Sequence, residues 1–181
     1  KQHDDLGKVR EIAQAIDSIE HVVVVPYLAE DPRIDEIPNA VTYAAFTDND
    51  AQDMDFERLP FDHPLYILYS SGTTGAPKCI THGAGGTLLQ HLKELVLHIN
   101  LRRQDRLCYF TTTGWMMWNW MVSGLAVGAT LVLYDGSPFH PGPGALFDLV
   151  DDERVTMLGV GAKAITAWEK AGLVPRESHR L

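Results

Sequence analysis

Apolar residues first recur at helical spacing: Leu6, Val9, Ile12, Ala13 and Ile16 share one face of a helix within residues 4–20. Residues 21–25, His-Val-Val-Val-Val, then read as a buried strand that ends at Pro26. Together they form one helix–strand unit. Residues 27–58 are polar, acidic and interrupted by proline. Within them, 41–46 read as a short strand or a helical turn. Residues 47–58 read as an exposed, flexible acidic connection.

A second apolar run, 65–69, stops abruptly at Ser70-Ser71-Gly72-Thr73-Thr74-Gly75. After Pro77 and Lys78, Cys79-Ile80-Thr81 suits a strand. The pattern predicts strand, glycine-rich turn, strand. Gly83-Ala84-Gly85-Gly86 then opens a helix of about 14 residues, with Leu88, Leu89, Leu92, Leu95, Val96 and Ile99 on its apolar face. Gln90, Lys93 and Glu94 fall on the outward side. Strands at 106–110, 130–134 and 155–158 alternate with helices at 115–127, 145–152 and 162–170. That alternation predicts an α/β fold: a mostly parallel sheet with helices on both faces, residues 1–181 forming a single domain. Ligands of such sheets sit beyond the strand C-terminal ends. Ser70, residues 111–114, Gly136 and residues 159–161 all follow predicted strands, so one cleft is expected to gather them.

Bulk properties narrow the classes. The 181 residues are 45% hydrophobic and 22% charged, an ordinary globular balance. A net charge of −9 disfavours a nucleic-acid partner, which needs excess Lys and Arg, but leaves a nucleotide open. No apolar run reaches the ~20 residues that cross a bilayer, and the polar start is no secretion signal. Cys79 and Cys108 are the only cysteines, which suggests no disulfide framework and a cytoplasmic setting. The chain lacks an initiator methionine and closes without an obvious finishing element. It is expected to be a piece of a longer polypeptide.

The glycine-rich turn carries the chemistry. Six consecutive small residues, four of them hydroxylic, make a poor core and a good anion cradle. Glycine lets backbone N–H groups approach an oxyanion, and successive N–H groups form a concave donor nest. Hydroxyls add donors and Lys78 a positive charge, so the natural guest is a polyphosphate. The turn is not a Walker A box: Gly72 and Gly75 enclose two residues instead of four, and Pro77 precedes the lysine. A Ser/Gly hairpin loop with no ligand is the plain alternative for so short a motif.

The longer string Tyr-Ser-Ser-Gly-Thr-Thr-Gly-Ala-Pro-Lys, residues 69–78, resembles the phosphate-loop signature of the AMP-forming acyl-CoA synthetases and related adenylate-forming enzymes. Thr112-Thr113-Gly114-Trp115 resembles the segment before their acyl pocket. Residues 124–130, followed by Asp135-Gly136, resemble their next helix and strand. The likeness covers about residues 64–168. Within the family, the run Trp-Met-Met-Trp-Asn-Trp is most similar to the branch that activates acetoacetate, with the acetate and propionate enzymes next. The resemblance implies two half-reactions: a carboxylate attacks the α-phosphate of ATP to give acyl-adenylate and pyrophosphate, then coenzyme A (CoA) thiol displaces AMP. It implies Mg²⁺, bound mainly by parts outside these residues. The partners it implies are ATP, a short acyl or keto acid, CoA and the remainder of the full-length chain, with no nucleic acid and no membrane.

On that resemblance Ser70, Ser71, Gly72, Thr73, Thr74, Gly75 and Lys78 clamp the β- and γ-phosphates. Thr73 and Thr74 are the leading hydroxyl donors, and Thr73 and Lys78 the catalytic candidates. Lys78 either touches phosphate or orders the loop. Trp115, Met116 and Met117 line the acyl pocket, while Trp118, Trp120 and Met121 read as core. Acetate-activating relatives carry smaller residues where Met116 and Met117 stand, which argues for a different acid. Phe139, Val160 and Gly161 fall in a region near CoA, where the sequence departs from the acetate enzymes.

His91, Glu94 and His98 lie on one helix at spacings that bring them together. With no further ligand cluster they read as a solvated face, and no metal site is assigned. His82 reads as a structural histidine, and neither cysteine has a base beside it. Tyr-Gly-x-Thr-Glu, Thr-Gly-Asp and the lid lysine of the family are absent from the sequence. The 181 residues alone are therefore expected to be inactive. A non-catalytic nucleotide-binding or interaction module is the reading of another class.

Overall fold

The computed structural model describes residues 4–47, 53–70 and 75–180. The chain divides into two units, one ending at Glu57 and one starting at Arg58.

In the first unit, helix α1 spans Leu6–Ala15 and strand β1 Val22–Val24. Strand β2, Ala40–Thr42, pairs with β1 in parallel, Val23 opposite Val41. The segment expected as strand or turn is both: β2 runs directly into α2, Tyr43–Phe46, where Thr42 Oγ1 accepts from the Ala45 amide at 3.3 Å. That is an N-cap, satisfying a donor the first turn would leave orphaned. The valine strand is half-buried instead of buried, and Val25 lies outside it, exposed. Residues 48–52 of the acidic connection lie outside the described residues.

The second unit opens with an antiparallel hairpin, β3 Pro64–Ser70 and β4 Lys78–Gly83. Helix α3, Ala84–Leu92, follows, and a π-helical segment, Lys93–His98, prolongs it. Next come β5 (Arg106–Tyr109), α4 (Met116–Val122) and a 3₁₀ segment (Ser123–Val127), which ends on Gly128 at φ +83°. Only glycine adopts that left-handed conformation freely. Strand β6 is Thr130–Leu131, α5 Ala145–Asp152, β7 Met157–Gly159, α6 Ala162–Lys170 and α7 Pro175–Ser178.

The parallel sheet has strand order β6-β5-β7. The step from β5 to β6 and the step from β6 to β7 run in opposite directions. Right-handed crossovers therefore set α4 and α5 on opposite faces. The two cores agree. Leu95, Leu101, Leu107, Met121 and Ala129 form one cluster, joined by Tyr109, Leu131 and Met157. Leu146, Phe147 and Trp168 form the other, joined by Phe110, Tyr134 and Leu158. Neighbours Met157 and Leu158 point to different clusters, as the two-residue period of a strand requires. The expected α/β fold with helices on both faces is present.

Some bounds shifted. The strand expected over 130–134 is two residues long. The helix expected over 115–127 changes from α to 3₁₀ at Ser123. Helices α5 and α6 keep the expected bounds.

Candidate active site

The hairpin sets the geometry. Ser70 pairs with Lys78, Leu68 with Ile80 and Tyr66 with His82, so all six share one face. Gly75 has φ +147°, a conformation that a β-carbon would strain. Ser71, Gly72, Thr73 and Thr74 lie outside the described residues. Ser70 and Lys78 stand opposite each other at the mouth of that loop. About 13 Å along the same face from Lys78, at 3.3 Å per residue, lies His82.

His82 and Tyr66 stack obliquely, ring centres 5.6 Å apart. They open onto a cavity of about 830 Å³. Its opposite wall is Met116, Met117 and Trp120 from α4, and its floor is Thr87, Gln90, His91 and Glu94 from α3 and its π-helical extension. Phe61 closes one side. Its ring lies so near Gly85 that a β-carbon there would sit 2.1 Å from Cδ2, which makes glycine a packing requirement. The Phe61 carbonyl accepts from the Gly85 amide at 2.8 Å, pinning the approach.

The helix bearing that floor differs from expectation. Its inward stripe is Thr87, His91 and Leu95, whereas Leu88, Leu89 and Val96 are exposed. Thr87, His91 and Leu95 are spaced four apart, which keeps them on one face through the wide π turns. His91, expected on a solvated face, is 7% exposed. Its Nδ1 lies 2.8 Å from Ser123 Oγ, at the end of α4. Burial, with His82 nearby, pushes its pKa below the ordinary histidine value. Glu94 does sit at the surface. It accepts from Gln90 at 3.2 Å and from Lys93 at 2.9 Å, and pairs with His98 at 3.3 Å. Lys93 first, then His98 and Gln90, hold its carboxyl below the usual range. Burial raises the Tyr66 hydroxyl, against a hydrogen bond to Thr87 that lowers it. Cys108 is buried and raised by desolvation alone.

Of the sequence-derived candidates, Met116 and Met117 line the cavity, and Ser70 and Lys78 share its hairpin face. Trp115 caps the start of α4 and is 69% exposed. Phe139, Val160 and Gly161 gather elsewhere: Phe139 leans on Trp168 at 5.8 Å, Val160 packs against the same cluster, and Gly161 caps α6. Met121 and Trp118 belong to the core, as expected; Trp120 packs there and also walls the cavity. His91 and Thr87 were missed. The signal that finds them is their four-residue spacing from Leu95. Among the described residues, no helix is long and apolar enough to cross a membrane.

A hairpin carrying a glycine-rich turn and a cavity walled by methionine and tryptophan thus lie in one α/β unit. The chain belongs to the AMP-binding enzyme family, which matches residues 1–173. Among its curated relatives is acetoacetyl-CoA synthetase of Rattus norvegicus, 51% identical over the whole chain and 28% of that protein. Acetoacetyl-coenzyme A synthetase of Rhizobium meliloti (strain 1021) is 53% identical, again over the whole chain and 28% of its own length. A malonamoyl-CoA synthetase of Penicillium aethiopicum is 46% identical over 96% of the chain and 26% of its length. The solved acetoacetyl-CoA synthetase from Streptomyces lividans superposes with TM-score 0.87 at 41% identity, covering 99% of this chain and 27% of that one. The chain thus spans little more than a quarter of each relative.

Proposed function

We propose that this chain is the phosphate-loop and acyl-pocket portion of an ATP-dependent, AMP-forming acid–CoA ligase acting on acetoacetate in the cytoplasm. The observation that carries this reading is the similarity over the full chain, 53% and 51% identity, to acetoacetyl-CoA synthetases of a bacterium and a mammal. Acetoacetate and malonamate share a carboxylate with a second carbonyl one methylene away. A cavity walled by Met116, Met117 and Trp120 suits that small, uncharged end.

Ser70, Ser71, Gly72, Thr73, Thr74, Gly75 and Lys78 hold the β- and γ-phosphates of ATP while the acid's carboxylate oxygen attacks the α-phosphorus. The α–β bridging bond breaks and pyrophosphate leaves with the electron pair. CoA thiol then attacks the acyl carbon of the adenylate, and AMP leaves. Such transfer needs mainly positioning and charge compensation, which hydroxyls, amides and one lysine supply. Trp115, Met116 and Met117 contact the acid; Phe139, Val160 and Gly161 contact CoA. Mg²⁺ takes carboxylate and water oxygens, and the loop offers donors to phosphate instead. No carboxylate stands among these residues, so a Ser or Thr hydroxyl is the one oxygen side chain they would offer Mg²⁺. The metal enters with the triphosphate or is held by the rest of the chain.

The test is an acid panel on the complete ligase, read by CoA-dependent pyrophosphate release. Acetoacetate should give the highest kcat/KM, above acetate, propionate and butyrate. Equal rates on all four, or preference for acetate, would refute the assignment of the acid.

A further inference from the structure

We infer that Tyr109 is a positioning residue of the acyl pocket: seated on Gly159, it holds Trp120 as the cavity wall and so sets how large an acyl group the cavity takes. This deepens the reading of the cavity as an acyl pocket and rests on it.

Tyr109 is the last residue of β5 and Gly159 the last of β7, and the two are register partners in the parallel sheet. The Tyr109 ring lies where a side chain on Gly159 would stand. A β-carbon there would sit 2.1 Å from Tyr109 Cδ2 and 2.4 Å from Cε2. Glycine at 159 is thus what lets the ring lie over β7. The backbone beneath does not recede, because the Phe110 amide donates to the Gly159 carbonyl at 2.8 Å.

The same ring meets Trp120 edge to face, with centres 5.9 Å apart and planes at 73°. Aromatic pairs favour that geometry. Trp120 stands between two environments. It packs on the core cluster of Leu95, Leu101, Leu107, Met121 and Ala129, and it walls the cavity. Tyr109 packs on the same cluster but does not line the cavity. It therefore reaches the pocket only through Trp120.

What surrounds the ring decides which way it yields. The sheet lies beneath it. Leu107 and Met121 beside it are each 1% exposed, and a close-packed core takes in extra volume only at a cost. The open space is the cavity of about 830 Å³ beyond Trp120. A methyl added at Gly159 therefore drives Tyr109 and Trp120 toward the cavity and shrinks it. Loss of the Tyr109 ring lets Trp120 settle inward and enlarges it. Two residues that do not line the pocket thus change its size in opposite directions.

The experiment measures kcat/KM of the complete ligase, by CoA-dependent pyrophosphate release, on acetate, acetoacetate and 3-oxohexanoate. Gly159→Ala should lower the value for acetoacetate about 10-fold while that for acetate changes less than about threefold. Tyr109→Leu should raise 3-oxohexanoate relative to acetoacetate about 10-fold. Tyr109→Phe keeps the ring and should hold both ratios within about twofold of wild type. In the double variant the leucine leaves room for the new methyl. Its acetoacetate-to-acetate ratio should return to within about threefold of wild type instead of falling further. Equal losses on every acid, or losses that simply add in the double variant, would mark a merely structural role and overturn the inference. If Gly159→Ala does not fold, Tyr109→Leu reads the opposite shift by itself. Crystal structures of the two single variants separate the inference from the reading beneath it. An unmoved Trp120 overturns the role of Tyr109. A moved Trp120 with unchanged acid ratios strikes the acyl reading of the cavity, and the inference falls with it.

Discussion

The parallel sheet and the hairpin are built from similar residues and end in opposite conditions. Strands β5 and β7 have helices on both faces, and Leu107 is 1% exposed. Strand β3 has one half-buried face, Tyr66, Leu68 and Ser70, while Leu65, Ile67 and Tyr69 are exposed, and β4 is exposed from Lys78 through Thr81. A two-stranded hairpin is marginal alone and needs packing to persist. The difference separates duties: the sheet supplies stability, and the hairpin presents its turn and an outer face that stays exposed. We propose that the remainder of the polypeptide covers that face, since the chain spans 28% of its curated relatives.

The largest expected effect lies in the sheet. Leu107→Ala or Leu146→Ala empties a fully buried site and should cost about 2–5 kcal/mol, measured by denaturant unfolding of this chain. A loss below about 0.5 kcal/mol would show that the sheet is not the stable part. Gly85→Ala is intermediate. Its β-carbon would collide with the Phe61 ring, so a loss of roughly 1–3 kcal/mol is expected, with the cavity wall displaced. The hairpin should respond least: Ile67→Ser changes the stability of the isolated chain by less than about 0.5 kcal/mol. The same substitution in the complete ligase should cost more. Equal effects in both would show that nothing covers that face.

The pH dependence sharpens the contrast at the cavity floor, where His91 faces His82, Glu94, Tyr66 and Ser123. Its folded pKa is depressed, so folding favours the neutral ring. That contribution is complete above the unfolded value of about 6.5 and is lost as pH falls through the depressed folded value. Thermal midpoints should therefore fall below about pH 6.5, and His91→Gln should flatten that part of the profile. Glu94, held low by Lys93, adds a smaller loss at more acidic pH.

Much of this was legible in the sequence where the neighbours lie in the same chain. Helices α5 and α6 were read from pattern alone because each buries apolar residues locally, Leu146 and Phe147 from α5 and Trp168 from α6, while the hairpin strands were read from their apolar runs and the turn residues between them. Helix α3 was misread for the opposite reason. Leu88 and Leu89 announce an apolar face without saying what covers it; of that face Leu95 and Ile99 joined the core, and Thr87 and His91 took the buried places of Leu88 and Leu89. Strand β6 contracted to two residues because β5 offers partners only at Arg106 and Leu107. The cavity was half legible: the residues after β5 pointed to Met116 and Met117. Periodicity could not say that the floor would be polar, because a buried histidine looks like a surface one until Ser123 is placed beside it. The hairpin was legible from the two apolar runs on either side of the small-residue turn, Ser70 and Lys78 ending and opening its strands.

The most direct measurement is acetoacetate-dependent exchange of pyrophosphate into ATP by the complete ligase carrying Thr73→Val, which removes one hydroxyl and keeps the side chain's shape. If the loop grips the leaving phosphates, exchange should fall about 100-fold while affinity for the acid stays within about threefold of wild type. Exchange at the wild-type rate would contradict a phosphate-gripping role for the hairpin.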